Sequence, residues 1–491
     1  MSKRIVIEPV SRLEGEARIT ILLNERGEVQ DAFFQVVEFR GFEQFCVGRP
    51  VEELPRITSR ICGVCPWAHH LASVKATDML FGRNPPPVAH TLRELGYMAH
   101  VIHSHALHFF WLAAPDFLVP TASRIERSII GILREKPEIA RDAIEHRVLA
   151  QRIQEIVGGK ATHPVAGLPG GWSKPLSQEE LDEIRSIGEK LLGFAERGVD
   201  LFEHRIWGNS QLREQVLSQA YYLETYYAGL VQEGALNLYD GRIRVVDPRG
   251  SSITEFEGTE YLNYIAEQVL PWSYTKAPYL KQIGWKGLKD GADSGVYRVG
   301  PLARLNAADC IPTPRAQERA KAFFEAVGGK PVHHTLLYHW ARVIEILYCA
   351  ERLLELCNDP QVLEPNTTNY EGEYRGEGVG VVEAPRGLLI HHYRADENAI
   401  TTDANMIVAT TMNNPAICLT VRNAARHFIR GDQVDDRLLN AVEIAFRAYD
   451  PCLACSTHSL PGTMPLTVDI FNADGQLIAR LSRFTSLCQT R

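Results

Sequence analysis

At 491 residues, with 45% hydrophobic and 23% charged side chains, the chain has ordinary globular composition and enough length for roughly three domains' worth of core. A net charge of −8 without any Lys/Arg-rich run gives no electrostatic footprint for nucleic acid or an anionic membrane surface. The N-terminal residues Met1 to Glu8 contain neither a secretory apolar stretch nor a twin-arginine pair. The most apolar segment, residues 106–119, is too short to span a bilayer and carries His108, Pro115 and Asp116. The expectation is a cytoplasmic protein with no membrane span.

Alternation of apolar and polar residues through Arg18-Ile19-Thr20-Ile21-Leu22-Leu23, a turn at Glu25-Arg26-Gly27 and resumption at Val29 predict a β-hairpin. Helical spacing of apolar residues predicts a long buried helix over 92–112 and a second over 121–157, interrupted near Pro137. Gly158-Gly159 ends that pattern and Pro169-Gly170-Gly171 makes a loop. Ser177-Gln178-Glu179-Glu180 is a capping-box start for a helix running towards Gly208. Residues 210–300 read as mixed, with short strands. One or two long helices follow over 318–356, broken at Gly328-Gly329, then a strand-like stretch at 380–391 and a last amphipathic helix over 436–449. The fold class expected is α+β, mainly α, with small sheets near both ends.

Ten cysteines in so large a chain do not make a disulfide framework in a reducing compartment. Cys46, Cys310, Cys349, Cys357, Cys418 and Cys488 are scattered singly and read as small core hydrophobes. The other four form two Cys-x-x-Cys pairs, Cys62/Cys65 and Cys452/Cys455, with His69 and His458 downstream. Thiolates select soft metals, and such pairs let two sulfurs face one centre. A four-cysteine zinc site normally spaces its pairs by about 15–20 residues. Here nearly the whole chain lies between them, so a shared site would require both ends to meet in one core. On these residues alone, structural zinc, an iron–sulfur cluster and a rarer centre all remain open.

The contexts of the pairs narrow this. Arg60-Ile61-Cys62-Gly63-Val64-Cys65-Pro66-Trp67-Ala68-His69 and Asp450-Pro451-Cys452-Leu453-Ala454-Cys455-Ser456-Thr457-His458 resemble the proximal and distal motifs of [NiFe]-hydrogenase large subunits. Arg12-Leu13-Glu14-Gly15, Arg40-Gly41-Phe42-Glu43, the Gly158-Gly159…His163-Pro164…Pro169-Gly170-Gly171 stretch and Glu383-Ala384-Pro385-Arg386-Gly387 are similar to four further motifs of that family, in the same order. The resemblance implies the family's large-subunit fold over 1–458, a long-helix bundle with both chain ends converging on a buried metal site. It also implies reversible heterolytic cleavage of H2, which needs a Lewis-acidic metal and a nearby base.

By the same resemblance, Cys62 and Cys452 are terminal nickel ligands, and Cys65 and Cys455 bridge nickel to an iron carrying carbonyl and cyanide. Glu14 is the proton-relay carboxylate, with Cys452 the first proton acceptor. Arg386 hangs over the site paired with Asp450, while Pro385, Ala409 and Thr410 line the diatomic ligands. His69 hydrogen-bonds a cysteine sulfur. Glu43, the backbone at Met406 and His458 hold a separate Mg2+ or Fe2+. His100, His103, His105 and His108, clustered on one predicted helix, are not ligands in this family and are taken as structural.

Glu16 and Ser104 stand where the respiratory branch of the family carries histidine and aspartate. This fits the cytosolic branch, NAD(P)-reducing or heterodisulfide-reductase-linked. With no further cysteine cluster and no Gly-x-Gly-x-x-Gly after a strand, the implied partners are an iron–sulfur small subunit, together with further electron-transfer subunits holding flavin, NAD or heterodisulfide reductase. Maturation proteins and a C-terminal endopeptidase are implied too, because residues 459–491 run past the histidine at which mature family members end. That extension contains a predicted hairpin over 465–478 turning at Asp474-Gly475. Two alternatives are a structural zinc or iron–sulfur protein, and a quinone-site subunit related to respiratory complex I, whose members lack the cysteine pairs.

Overall fold

The structure is a computed structural model that describes residues 4–8, 10–123, 126–430 and 435–457, and the backbone of two further strands at 467–471 and 477–482. The N-terminal strands Arg4–Ile7, Ala17–Leu23 and Val29–Val36 form an antiparallel sheet, the last two being the hairpin legible in the sequence. Long helices Pro87–Ala106, Pro137–Gly158, Gln178–Leu201 and Tyr338–Cys357 pack against one another as the central bundle. The Ser177/Glu180 capping box forms as expected, each side chain accepting from the other residue's backbone N–H.

Several boundaries differ from the sequence reading. The first long helix widens into a π-helical turn at Leu107–Ala113. The second does not begin at residue 121: the segment becomes helical at Ile129–Glu135 and continues as Pro137–Gly158. The predicted 318–356 region is two helices, Pro314–Val327 and Tyr338–Cys357, the first ended by Gly328 in a left-handed conformation. The largest sheet is not near an end: five short strands between residues 226 and 298 form it, one pair of them parallel.

Two close approaches set the position of the first cysteine pair. Pro66 occupies the first turn of helix Pro66–Leu80, and Cys65 is the residue that caps it. Trp67 lies between two helices at their glycines: a Cβ on Gly96 would fall 2.2 Å from the indole, and one on Gly158 2.5 Å from it. On the helix's other side crosses strand Glu377–Ala384. A Cβ on Gly378 or Gly380 would lie 2.0 or 1.9 Å from the carbonyl of Ala76 or Ala72, so only bare backbone fits.

That strand pairs with Gly387–Ala395 through the register Ala384↔Gly387, which leaves Pro385 and Arg386 as a two-residue hairpin turn. Arg304 supports the turn from below. It is fully buried, ion-paired to Glu345 at 2.5 Å and Glu383 at 2.6 Å, and donates to the carbonyls of Ala384 and Pro385. The two chain ends then meet: Glu14 and Cys452 form a parallel bridge in which Leu453 N–H donates to the Glu14 carbonyl at 3.0 Å. The strands Thr467–Phe471 and Leu477–Ser482 pair antiparallel as the expected terminal hairpin; its turn at Asp474-Gly475 lies outside the described residues. Among the described residues, no helix is long and apolar enough to cross a membrane.

Candidate metal centre

Cys62 sits in the turn before helix Pro66–Leu80, and Cys455 in the short helix Leu453–Ser456 that follows Cys452. The bridge between chain ends brings all four sulfurs within 4.8 Å of one another. Cys62 and Cys452 approach to 3.2 Å, Cys65 and Cys455 to 3.2 Å, and Cys452 and Cys455 to 2.9 Å. None of the four is more than 4% exposed, so water is excluded. The Cys65 thiol is held well below its usual range by hydrogen bonds from Cys452, Cys455 and Cys62, whereas burial pushes Cys452 and Cys455 up. A soft cation binds such sulfurs as thiolates, displacing the protons of those that are still thiols. The donor set, four sulfurs at one point with no carboxylate among them, fits a thiophilic metal centre.

Around the sulfurs stand the other side chains singled out in the sequence. Glu14 Oε2 accepts from Cys452 Sγ and from Ala454 N–H, each at 3.0 Å; burial raises its pKa, opposed by those two bonds. Arg386 donates from Nε to the Asp450 carbonyl at 2.7 Å and from Nη2 to its carboxylate at 3.0 Å, with Nη1 3.4 Å from Ser104 Oγ. Asp450 reaches Arg386 with both oxygen types because its φ is 57°, a left-handed conformation costly for a non-glycine residue. Burial pushes the Asp450 carboxyl up to about 6 against the pull of Arg386 and Arg342. Thr410 Oγ1 accepts from Cys452 N–H at 2.9 Å; Ala409, buried beside it, starts helix Ala409–Phe428. Pro385 holds the hairpin turn next to Arg386. His69 Nε2 lies 3.3 Å from Cys455 Sγ.

Two of the three residues expected to hold a second ion lie side by side. Met406 N–H donates to Glu43 Oε1 at 2.9 Å, and both line a cavity of about 10 Å³ with Thr457 and Cys455, roughly one water in size. His458, the third residue of that expected set, lies outside the described residues. The four helix histidines do not converge. His100 meets Gln154, His103 meets Arg147, His105 meets Glu345 and His108 meets the Arg447 carbonyl. Of the six single cysteines, four are buried as expected; Cys310 is exposed, because it leaves the core at the end of a short bridge to Ala235, and Cys488 lies outside the described residues. Residues missed in the sequence are His391 and Tyr393, fully buried beside His69. The signal was present: a histidine inside the apolar strand Leu388-Leu389-Ile390-His391.

Residues 40–126 and 249–458 match the family model for nickel-dependent hydrogenase, and residues 4–39 a model described as HoxL-like. This chain belongs to the nickel-dependent hydrogenase family. It is 45% identical over 486 residues to an F420-non-reducing hydrogenase iron-sulfur subunit of Archaeoglobus profundus, covering 98% of this chain and 100% of the relative. To the NAD-reducing hydrogenase HoxS subunit beta of Cupriavidus necator it is 38% identical, covering 98% and 100%. The crystal structure of an NAD+-reducing [NiFe]-hydrogenase in the H2-reduced state superposes with a TM-score of 0.87 at 40% identity, over 93% of this chain and 99% of that one. The hydrogenase fold is therefore the fold of this chain, and the chain is the catalytic component of an H2 oxidoreductase. Both alternatives fall with the family assignment. Four buried sulfurs in a nickel-dependent family fit a nickel–iron centre.

Proposed function

We propose that the hydrogenase subunit holds its nickel–iron centre through Cys62 and Cys452 as terminal nickel ligands and Cys65 and Cys455 as bridges to an iron with carbonyl and cyanide ligands. When bound, that centre supplies the Lewis-acidic metal that polarises H2 and takes up its electrons. The chain supplies the base. Cys452 Sγ is the first proton acceptor and Glu14 Oε2, 3.0 Å away, receives the proton and carries it outward, while Ala454 N–H holds the carboxylate in place. That single contact, a carboxylate against one sulfur of a dry four-thiolate cage, carries the reading.

Arg386, fixed by Asp450, places a permanent cation over the centre, which suits anionic diatomic ligands. Pro385, Ala409 and Thr410 form the wall around those ligands. Glu43, the Met406 backbone and His458 hold a Mg2+ or Fe2+ that braces the distal motif. Among the described residues the four cysteines are the one group placed to hold a metal through three or more His, Cys, Asp or Glu side chains. Electrons then leave through an iron–sulfur partner to a soluble acceptor in the cytoplasm, NAD(P) or a heterodisulfide-reductase system, the two kinds of acceptor the sequence branch admits. Residues 1–458 form one domain, and residues 459–491 are a maturation extension removed by an endopeptidase.

The test is metal content with infrared spectroscopy on protein co-purified from its native host. Nickel and iron with carbonyl and cyanide bands support the assignment. Cys452→Ser should lose H2 turnover and nickel together; a serine variant with normal turnover refutes the ligand set. Intact mass of the loaded protein reads out the extension directly.

A further inference from the structure

A chain of hydrogen bonds leads away from Cys455. His69 Nε2 is 3.3 Å from Cys455 Sγ, and the other ring nitrogen, Nδ1, is 3.1 Å from His391 Nε2. His391 Nδ1 is 2.5 Å from the Tyr393 hydroxyl, which donates to Ser73 Oγ at 3.0 Å. All four side chains are fully buried, so no water competes for these groups. His69 and Ser73 lie one turn apart on helix Pro66–Leu80, and His391 and Tyr393 alternate on strand Gly387–Ala395, facing the same side.

A neutral imidazole has one N–H and one bare nitrogen, so the polarity of each link fixes the next. With Tyr393 donating to Ser73, its oxygen accepts from His391 Nδ1–H. His391 Nε2 is then bare and accepts from His69 Nδ1–H, and His69 Nε2 turns a lone pair to a Cys455 thiol. If the Tyr393 hydroxyl turns to His391 Nδ1 instead, every link reverses. His391 donates from Nε2, and His69 offers Nε2–H to Cys455, the polarity a metal-bound thiolate needs.

We propose that His391 and Tyr393 are positioning residues for the metal centre: through His69 they set the polarity that its Nε2 presents to Cys455 Sγ. The proposal rests on the reading of Cys455 as a bridging ligand. Partners that orient a histidine beside a metal site in this way tune the metal without touching it. A thiolate that accepts an N–H donates less electron density, so losing the chain should leave the iron richer in electrons.

The test is the infrared spectrum of the co-purified holoenzyme carrying His69→Leu, His391→Leu, Tyr393→Phe or His391→Gln. His69→Leu should move the carbonyl band to lower wavenumber. His391→Leu should move it the same way, and Tyr393→Phe the same way by less. His391→Gln, whose amide still offers a donor and an acceptor, should bring it back towards the native position. Tyr393→Phe removes one oxygen, so it carries the test if His391→Leu fails to load metal. If His69→Leu shifts the band while Tyr393→Phe and His391→Leu leave it at the native position, or move it upward, the proposal is overturned. If His69→Leu also leaves it unmoved, the bridging role of Cys455 falls as well.

Discussion

Arg304→Met would leave two carboxylates in the core without their shared cation. In the native protein the guanidinium lies 2.5–2.6 Å from Glu345 and 2.6 Å from Glu383, all three side chains being fully buried. Burial pushes Glu383 up to about 7 even with Arg304 opposing it, so without the arginine this group takes a proton at neutral pH with little further cost. Glu345 differs. Burial acts to raise it, yet Arg304, helped by His105, holds it at about 2. Without Arg304 it must be neutralised, and protonating a glutamate of ordinary pKa at pH 7 costs about 3.7 kcal/mol. That agrees with the ~3–5 kcal/mol typical of breaking a buried ion pair. The variant should therefore lose about 4 kcal/mol, read as the denaturation midpoint at pH 8, 7 and 6. Both carboxyls now have folded pKa values above their unfolded ones, so the unfolded state holds fewer protons and stability falls as pH rises. The deficit should shrink by up to about 1.4 kcal/mol per unit of acidification through Glu345, while Glu383, already at about 7 in the native protein, changes it little below pH 7. Adding Glu345→Gln should recover most of it. A deficit below about 1 kcal/mol, or one that grows between pH 8 and pH 6, refutes the argument.

Glu14→Gln keeps an acceptor for Ala454 N–H but cannot carry a proton, so nickel content should hold while H2/D+ exchange falls by about 10²–10⁴-fold; undiminished exchange would remove Glu14 from the relay. Gly380→Ala forces a Cβ within 1.9 Å of the Ala72 carbonyl, and the strand must back away from helix Pro66–Leu80; a loss of at least about 1–3 kcal/mol in unfolding experiments is expected, and a neutral result would mean the contact is looser than described. Burial, the largest cause in each case, pulls His70 and His100 down to about 4 and His105 and His339 to about 3. Between roughly pH 6.5 and 4 the unfolded chain carries protons on these side chains that the folded chain does not, so stability falls on acidification, by at most about 1.4 kcal/mol each at pH 5.5. Apparent melting temperatures that stay level from pH 7 to pH 5 would contradict this.

Much of the site is legible in the sequence because its chemistry is written in short fixed strings. Arg12 to Gly15, Cys62 to His69 and Asp450 to Thr457 each supply residues that the fold brings to one point. Local elements are legible where one residue type decides them, as with Ser177 and Glu180 at a helix start or Gly328 at a helix end. What escaped depends on contacts far apart in the chain. The five-stranded sheet is built from strands of two to seven residues, one pairing residues 226–227 with 297–298, and no local period reveals such a register. His391 reads locally as a strand residue; its meaning comes from His69, 322 positions away. The stretch before Ile129 has apolar side chains at helical spacing, yet the helix starts only there, because tertiary packing rather than propensity decides the boundary.

The parallel bridge between Glu14 and Cys452 joins two halves of the donor set that lie 390 residues apart along the chain. An ion held by sulfurs from both pairs is then a clasp that turns nearly the whole polypeptide into one closed ring. By the loop-entropy relation used for covalent cross-links, a ring of that size disfavours the opened chain by about 6 kcal/mol. The centre that handles H2 would thus also be a fastener, and the chain that loses its metal would lose the tether between its two ends in the same event.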